Sequence, residues 1–290
     1  MTKTICFYHN DPDGRASGAI VRYALGPGVQ LIESDYDVTA IPWEAVAQAD
    51  KVIVVDFSFP VPDMLRLAEG RELTWIDHHK SAILTFAGIA DHWPGIRDSS
   101  EAACVLTWRY FFPDRPVPKA IVLIGDRDIW RWAEPDTGPF TEGLHVLDTR
   151  VENDRLWVAL IENDPSLLES ILSEGARLRE IRLNQIEYLI KHRGYGVRFE
   201  SHKTLAINNS GNGDFGQLGR DMGYEIVYCY IDEMQNGVLS TSVTLYSASV
   251  DVSLIAQRYG GGGHAGAAGF SFPRSSTPFP PGSTVEWQAV

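Results

Sequence analysis

The sequence predicts an α/β protein of two domains: an N-terminal parallel sheet with helices on both faces and a smaller C-terminal α/β domain, with a cleft between them. One reason is length, because 290 residues exceed what one small core usually organises. Another is that apolar, β-rich runs alternate with helical patterns through the first half, which is typical of a parallel sheet covered by helices. Strand patterns then return after a long charged segment. We therefore place a first domain at 1–150, a helical connector at 151–193 and a second domain at 194–290.

Four strands are predicted in the first domain, in the runs ICFYH, VQLIES, KVIVVDF and LTWID. Helices are predicted from about Gly14 to Leu25, near Asp63 to Glu69, and in the runs AACVLTWRYFF and KAIVLIGDRDIW. A long amphipathic helix covers roughly Asp164 to His192. A turn is predicted at 193–196, followed by strands in TLAIN, EIVYCYID and LSTSVTLYS and a short helix in VSLIAQRY. The Pro- and Ser-rich end, 273–283, is predicted to be loosely structured.

Composition narrows the cellular setting. No apolar stretch is long enough to span a bilayer, so no membrane partner is expected. Asp11 and Asp13 also interrupt the N-terminal segment before an apolar region typical of a signal peptide. Cys6, Cys104 and Cys229 lie far apart in apolar surroundings without CxxC spacing, which indicates buried thiols in a reducing compartment. The sequence therefore predicts a cytoplasmic protein, either a monomer or a homodimer.

The charge of the chain bears on the kind of substrate. The formal net charge is −13, whereas proteins that follow long nucleic acids usually display a basic stripe. Binding to a long duplex is therefore disfavoured. An acidic protein can still bind a small phosphate ester if bound cations reverse the field locally, so short substrates are favoured.

Acidic and histidine residues follow three of the four predicted strands. The residues that share this position are His9, Asp11 and Asp13 after the first strand, Asp56 after the third, and Asp77, His78 and His79 after the fourth. In parallel α/β sheets, ligands collect at the carboxyl ends of the strands. The coincidence indicates a functional site at that edge.

Each cluster also has a structural interpretation. The motif HNDPDG could be an Asp-rich turn that caps a helix, and Asp56 could bond the backbone amides of the next loop. The pair of histidines could belong to a surface cluster. Against this, an unpaired carboxylate at the end of an apolar strand is costly unless a cation or strong donors meet it. Adjacent histidines after a buried strand are hard to justify by packing, and His is a common metal ligand.

Together the three clusters resemble motifs I, II and III of the DHH phosphoesterase superfamily, which includes inorganic pyrophosphatases, RecJ-type exonucleases, nano-RNases and cyclic-dinucleotide phosphodiesterases. The fourth family motif is an Asp after a helical stretch. Its best match is Asp126 in IGDRDIW, with Asp128 as the alternative. The run GGGGHAGAAGF, which begins at Gly260, resembles the glycine-rich substrate signature of the DHH-associated domain. The resemblance thus covers nearly the whole chain and is nearest to the oligoribonuclease-like, RecJ-related members.

The resemblance implies a site with two cations and Asp56 as the bridging ligand. The residues implied for the first cation are His9, Asp11 and Asp56, and those for the second are Asp13, Asp56, His78 and Asp126. His79 is implied to contact the phosphate and Asp77 to orient its neighbours, so these two are the candidate catalytic residues. The candidate substrate-binding residues are Gly261, Gly262, Gly263, His264 and Arg258.

Arg258 is included because of one departure from the family pattern. Many oligonucleotide-cleaving relatives carry an Arg shortly before the glycine signature, where this chain has Tyr246. Arg258, or Arg127 and Arg131 beside the fourth motif, could supply the missing positive charge. Two nearby tryptophans, Trp130 and Trp132, could stack a base, but tryptophan in such a pattern is more typical of a core.

A mixed set of carboxylates and imidazoles without a thiolate suits Mn²⁺, with Mg²⁺, Co²⁺ or Zn²⁺ as alternatives. The leading hypothesis is a metal-dependent phosphodiesterase that hydrolyses short oligonucleotides or linear dinucleotides such as pApA to nucleoside monophosphates. Its competitors are a 3′-phosphatase acting on pAp-type substrates, a cyclic-dinucleotide phosphodiesterase and a nucleotide-binding regulator without catalysis. Pyrophosphatase and processive exonuclease activities are less favoured.

Overall fold

Four parallel strands organise the first part of the chain. A computed structural model describes residues 2–36 and 40–287. The chain divides into two units, 1–179 and 180–290. The strands of the first unit are β1 (Thr4–His9), β2 (Gln30–Ser34), β3 (Lys51–Val55) and β4 (Glu72–Ile76), in the spatial order β2-β1-β3-β4 with every pairing parallel.

Helices cover both faces of this sheet. They are α1 (Pro12–Leu25), α2 (Trp43–Ala47), α3 (Val61–Ala68), α4 (Lys80–Thr85), α5 (Ala103–Phe111), α6 (Lys119–Asp128), α7 (Thr137–His145) and α8 (Asp154–Ile161). Cys6 and Tyr8 of β1 pack on the side of α1, α5 and α6, whereas Ile5 and Phe7 pack on the side of α2 and α3. Successive side chains of a strand point to opposite faces, so burial on both faces explains the continuous apolar runs. The predicted α/β class is confirmed.

The turn from β1 into α1 places the first cluster of acidic residues. Asp11 is the N-cap of α1, and its Oδ1 accepts a hydrogen bond of 2.8 Å from the Gly14 amide, while Pro12 occupies the first turn. A Cβ atom added at Gly14 would lie 2.2 Å from the carbonyl oxygen of His9. Glycine is therefore required for the helix to begin directly against the end of β1.

The second unit contains a mixed sheet of seven strands. The long helix α9 (Pro165–Arg193) crosses the boundary between the units along the chain. It is followed by β5 (Gly194–Phe199), β6 (His202–Asn208), α10 (Gly213–Asp221), β7 (Ile226–Gln235), β8 (Val238–Tyr246), α11 (Val252–Arg258), β9 (Gly262–His264), β10 (Ala267–Pro273) and β11 (Val285–Trp287). The spatial order is β11-β5-β6-β7-β8-β10-β9.

The turn predicted at 193–196 is wrong, because residues from Gly194 onward form β5, which pairs antiparallel with β6. The two glycines of this segment suggested a turn, but Val197 and Phe199 are buried at alternate positions, as in a strand. The true turn lies at Glu200 and Ser201, both of which have positive φ.

Cys6, Cys104 and Cys229 are free and buried, as predicted. Within residues 2–36 and 40–287, no helix combines the length and the apolar character needed to cross a bilayer.

Replacement of Gly14 by Ala is expected to lower the free energy of unfolding by about 1–3 kcal/mol, the usual cost of overpacking, because the new methyl group meets backbone of β1. The matched control is Gly28→Ala, since a Cβ atom at Gly28 meets nothing within 4 Å. This control should stay within about 0.5 kcal/mol of wild type. Urea denaturation of both variants measures the difference, and equal stabilities would contradict the close approach at Gly14.

Candidate metal centre

Side chains from three strand ends meet at the carboxyl edge of the first sheet. His9 is the last residue of β1, Asp56 follows β3, and Asp77 and His78 follow β4. Because β1, β3 and β4 are parallel neighbours, their last residues lie at one edge. Asp56 has φ of 56°, a backbone conformation uncommon outside glycine, and its amide donates a 2.9 Å hydrogen bond to the Ile76 carbonyl. The turn after β3 is thus fixed against the end of β4.

Asp56 lies at the centre of the cluster. Its Oδ2 is 3.8 Å from His9 Nδ1, and its Oδ1 is 3.2 Å from His78 Nε2 and 3.9 Å from His79 Nδ1. His9 Nδ1 is in turn 2.9 Å from Asp11 Oδ2. Two groups of side chains that could hold a metal ion therefore share Asp56: His9, Asp11 and Asp56, and Asp56, His78 and His79.

A third such group contains Asp13, His78 and Asp128. His78 Nε2 lies 3.7 Å from Asp13 Oδ2 and 3.4 Å from Asp128 Oδ2. The structure therefore brings together His9, Asp11, Asp13, Asp56, His78 and His79 as the sequence predicted, and it adds Asp128, the alternative for the fourth motif.

Asp126, the first choice for the fourth motif, is not brought into this cluster. Its Oδ1 accepts a hydrogen bond from the Ala133 amide, and its Oδ2 accepts from the Glu134 amide and the Thr137 hydroxyl. These donors hold the pKa of Asp126 below its usual value against the effect of burial. Residues two apart on a helix point about 200° apart, so near the end of α6 Asp128 faces the cluster while Asp126 faces the following loop.

Asp13 has a structural contact that the sequence did not reveal. Its two carboxylate oxygens accept hydrogen bonds of 2.8 Å from the amides of Ala103 and Cys104, the first residues of α5. These amides have no partner within their own helix, and the N-terminus of a helix favours negative charge. Asp13 therefore joins α5 to the cluster while keeping lone pairs for another ligand.

The electrostatics of the cluster fit a bound cation. Asp56 is 1% exposed, and neither of its oxygens accepts a hydrogen bond within the described part of the chain. Burial and the charges of Asp13 and Asp11 raise its pKa well above the usual value. Burial, with the same two neighbours, raises the pKa of Asp128 to about 8. Carboxylates so placed cannot all ionise unless positive charge compensates them, which a divalent cation supplies.

The adjacent histidines differ in their environments. Burial lowers the pKa of His78, which favours the neutral imidazole that metal ligation requires. The pKa of His79 is raised, chiefly by its 2.8 Å contact between Nδ1 and Asp77 Oδ1. Asp77 is fully buried and its Oδ1 also accepts hydrogen bonds from the amides of His78 and His79. Asp77 thus orients the turn that carries both imidazoles.

Sequence reasoning missed one residue near this edge and favoured the wrong environment for two others. Asp35 follows β2, and its Oδ1 lies 4.0 Å from His9 Nε2. Its position after a strand is the same signal that identified the other clusters. Trp130 and Trp132 are 51% and 43% exposed, so the core interpretation of these residues is wrong.

The predicted substrate-binding residues all lie in the second unit. Residues Gly262 to His264 form β9, which pairs with β10, and Gly263 has φ of 137°. Gly261 donates its amide hydrogen to the Ala256 carbonyl, and His264 is exposed. Arg258, also exposed, forms a 3.0 Å ion pair with Glu200. The contact of these residues with a substrate stays a prediction.

Comparison with known proteins identifies the fold. No protein-family model matches the chain. The pGpG-specific phosphodiesterase PggH of Vibrio cholerae superposes with a TM-score of 0.54 at 12% identity over 94% of each chain. The DHH domain of a member of a family of ribosomal proteins superposes with a TM-score of 0.53 at 14% identity, over 94% of this chain and 82% of that one. The chain has the DHH fold.

Two curated proteins are similar to this DHH-fold chain in sequence. An uncharacterized protein of Acanthamoeba polyphaga mimivirus is 27% identical over 233 residues, which are 76% of this chain and 53% of that protein. The chain thus spans about half the length of this relative. The oligoribonuclease NrnB of Bacillus subtilis is 23% identical over 291 aligned positions, covering 91% of this chain and 72% of that protein. The family resemblance seen in the sequence is confirmed at the level of the fold.

The metal-free chain is expected to lose stability as pH rises. Asp128 keeps its proton in the folded state up to about pH 8, whereas the unfolded chain loses it near pH 3.9. This contribution is fully present below pH 4 and is lost as pH rises through 8. Between pH 7 and 9, the unfolding temperature in chelator should fall by about 2–4 °C from Asp128 alone.

Thermal unfolding in chelator at pH 7, 8 and 9 measures this decline. Asp128→Asn should reduce it, because the amide does not titrate, and Mn²⁺ should restore the stability of wild type at pH 9. An unfolding temperature of the metal-free wild type that is constant or rises across the window would contradict the assignment.

Asp128 and Asp126 form a matched pair for the fourth motif. Loss of a residue that only supports a metal ligand weakens metal binding by about 10- to 100-fold. Asp128→Asn should weaken Mn²⁺ binding by more than this, because it removes a ligand. Asp126→Asn should instead lower the free energy of unfolding by about 1–3 kcal/mol, because it replaces an acceptor of three buried donors. Calorimetric titration with Mn²⁺ and urea denaturation separate the two effects, and the reverse order would exclude Asp128 as the ligand.

Proposed function

We propose that this chain is a Mn²⁺-dependent phosphodiesterase that hydrolyses short oligonucleotides or linear dinucleotides to nucleoside monophosphates. The observation that carries the proposal is the cluster of carboxylates and imidazoles around Asp56, whose buried oxygens lack a hydrogen-bond donor within the described residues. The DHH fold and the sequence similarity to an oligoribonuclease support the reaction class. A reducing compartment, the cytoplasm, belongs to the proposal because all three thiols are free and buried.

The proposed ligands divide into two sets that share Asp56. The set for one cation is His9, Asp11 and Asp56. The set for the other is Asp13, His78 and Asp128, with Asp56 added because its Oδ1 lies 3.2 Å from His78 Nε2. Asp128 replaces Asp126 in this proposal because it lies 3.4 Å from His78 Nε2. Hard carboxylate oxygens with imidazole nitrogens and no thiolate favour Mn²⁺ over softer cations.

If these two sets of residues held two such cations, the cations would supply Lewis-acid chemistry to a phosphate ester and to a water molecule. The chain itself orients the phosphate. His79 is held through Nδ1 by Asp77, so Nε2 is the atom left to donate a hydrogen bond to a phosphate oxygen. The contact with Asp77 raises the pKa of His79, which favours the protonated form, and a protonated imidazole donates the stronger hydrogen bond to a phosphate.

The preference for short substrates is supported by charge. With a net charge of −13, the chain repels a long polyanion everywhere except where cations or local arginines compensate. The substrate named for PggH is the dinucleotide pGpG, and NrnB is named as an oligoribonuclease. Both are consistent with a substrate of a few nucleotides.

Turnover of 5′-labelled pApA by metal-stripped protein tests the proposal. With Mn²⁺ the expected product is AMP, and without metal no product is expected. Asp56→Asn should abolish turnover, because it removes the shared ligand of both sets. Free phosphate released from pAp would instead indicate the phosphatase, and a linear dinucleotide made from a cyclic one would indicate the cyclic-dinucleotide enzyme. Saturable nucleotide binding without turnover, unaffected by Asp56→Asn, would indicate a regulator.

A further inference from the structure

The loop that follows α6 exposes two large aromatic side chains. Trp130 and Trp132 are about half exposed, and their rings meet edge to face with centroids 5.2 Å apart. Both residues have positive φ, 57° and 52°. Bulky residues rarely adopt this conformation, and strained positions of this kind persist only where the surrounding structure enforces them, commonly at functional sites.

The conformation of this loop is enforced by Asp126. Its backbone carbonyl accepts hydrogen bonds from the amides of Arg131 and Trp132, at 2.9 and 3.4 Å. Its side chain accepts from the amides of Ala133 and Glu134 and from the hydroxyl of Thr137. Asp126 thus accepts five of the hydrogen bonds that hold this loop, and the Trp130 amide donates a further one, of 3.2 Å, to the Arg127 carbonyl. The backbone that carries both tryptophans is therefore fixed by the fold.

Arg127 contacts both tryptophans and also lines a cavity beside the candidate metal centre. The guanidinium carbon of Arg127 lies 4.4 Å from the ring centroid of Trp130 and 5.5 Å from that of Trp132. Arg127 also lines a cavity of about 510 Å³, whose wall includes Asp11, Asp13 and Asp128. A group bound beside these carboxylates can therefore extend toward Arg127 and the two rings.

We propose that Trp130 and Trp132 form a platform on which an unpaired nucleobase of the substrate stacks, with Arg127 as its positive charge. This inference rests on the proposed function, because it assigns a binding site for the base of the same oligonucleotide. Stacking on an aromatic ring is possible for every base but only where the base is unpaired. The platform therefore selects single-stranded substrates without selecting sequence.

A nucleobase fits this surface better than a protein partner. Two rings and one guanidinium offer far less than the roughly 800 Å² that each side of a stable protein interface buries. A planar aromatic ligand matches both the tryptophan faces and the cation–π arrangement with Arg127.

Two double variants test the platform. Trp130→Asn with Trp132→Asn removes both rings while tolerating positive φ, and Trp130→Phe with Trp132→Phe keeps an aromatic face. With Mn²⁺ and pApA, the Asn pair should raise KM by about 5- to 150-fold, the loss expected per stacked base. The Phe pair should stay much closer to wild type. Because Asp128 and the other proposed ligands are unchanged, kcat should fall far less than KM rises.

Two analogues of pApA, each with an abasic sugar at one of the two positions, provide the control. The analogue that lacks the stacked base should have a raised KM with wild type and should be insensitive to the Asn pair. A wild-type KM for the Asn pair on pApA, or an equal loss on both analogues and on pApA, would overturn the platform.

Failure of the proposed function can be distinguished from failure of the platform. If wild type does not hydrolyse pApA with any metal, equilibrium dialysis of labelled pApA still tests the platform. Weaker binding by the Asn pair than by the Phe pair would support it. Equal binding by both variants and wild type, or no binding by wild type, would overturn it.

Discussion

Neutralisation of Asp56 is the constraint on which the site in the first unit depends. This carboxylate is buried at the end of β3, with no donor to its oxygens among the described residues and with Asp11, Asp13 and Asp128 as neighbours that raise its pKa. In a low dielectric, a proton or a cation must balance such a group. The fold holds it there regardless, through the left-handed turn at Asp56 and the hydrogen bond of its amide to the Ile76 carbonyl. The same buried carboxylates therefore lower the stability of the metal-free chain and raise its affinity for a metal.

The parallel sheet explains why most of the cluster could be predicted from the sequence. Strand ends are visible as apolar runs that stop at polar residues, and parallel neighbours bring those ends to one edge. This reasoning located His9, Asp56 and His78 without any knowledge of distances, and the structure places them together. Asp35 follows β2 by the same logic, in the acidic run ESDYD, but it was overlooked.

Helical and looped parts of the site were less predictable. The end of α6 offers two aspartates two residues apart, and which one faces the cluster depends on the rotation of the helix, which packing sets and spacing alone does not. Asp126 was therefore preferred from the sequence, although Asp128 is the residue that lies in the cluster. The exposure of Trp130 and Trp132 was also hard to predict, because aromatic residues normally indicate a core. The hydrogen bonds that fix their loop, most of which Asp126 accepts, are not visible in the sequence.

Asp126 and Asp128 have different hydrogen-bonding environments, and their roles differ accordingly. Asp126 is satisfied by donors from its own loop, so burial does not prevent it from ionising. Among the residues that the structure describes, no comparable set of donors binds Asp128, and its raised pKa favours the protonated form at neutral pH unless positive charge arrives. A carboxylate whose donors are already supplied holds the backbone in place, whereas one that lacks them remains available to a ligand. By this criterion Asp13 is intermediate, since two amides of α5 bind it while His78 lies beside it. Asp13 thus links α5 to the group of carboxylates whose negative charge a cation must balance.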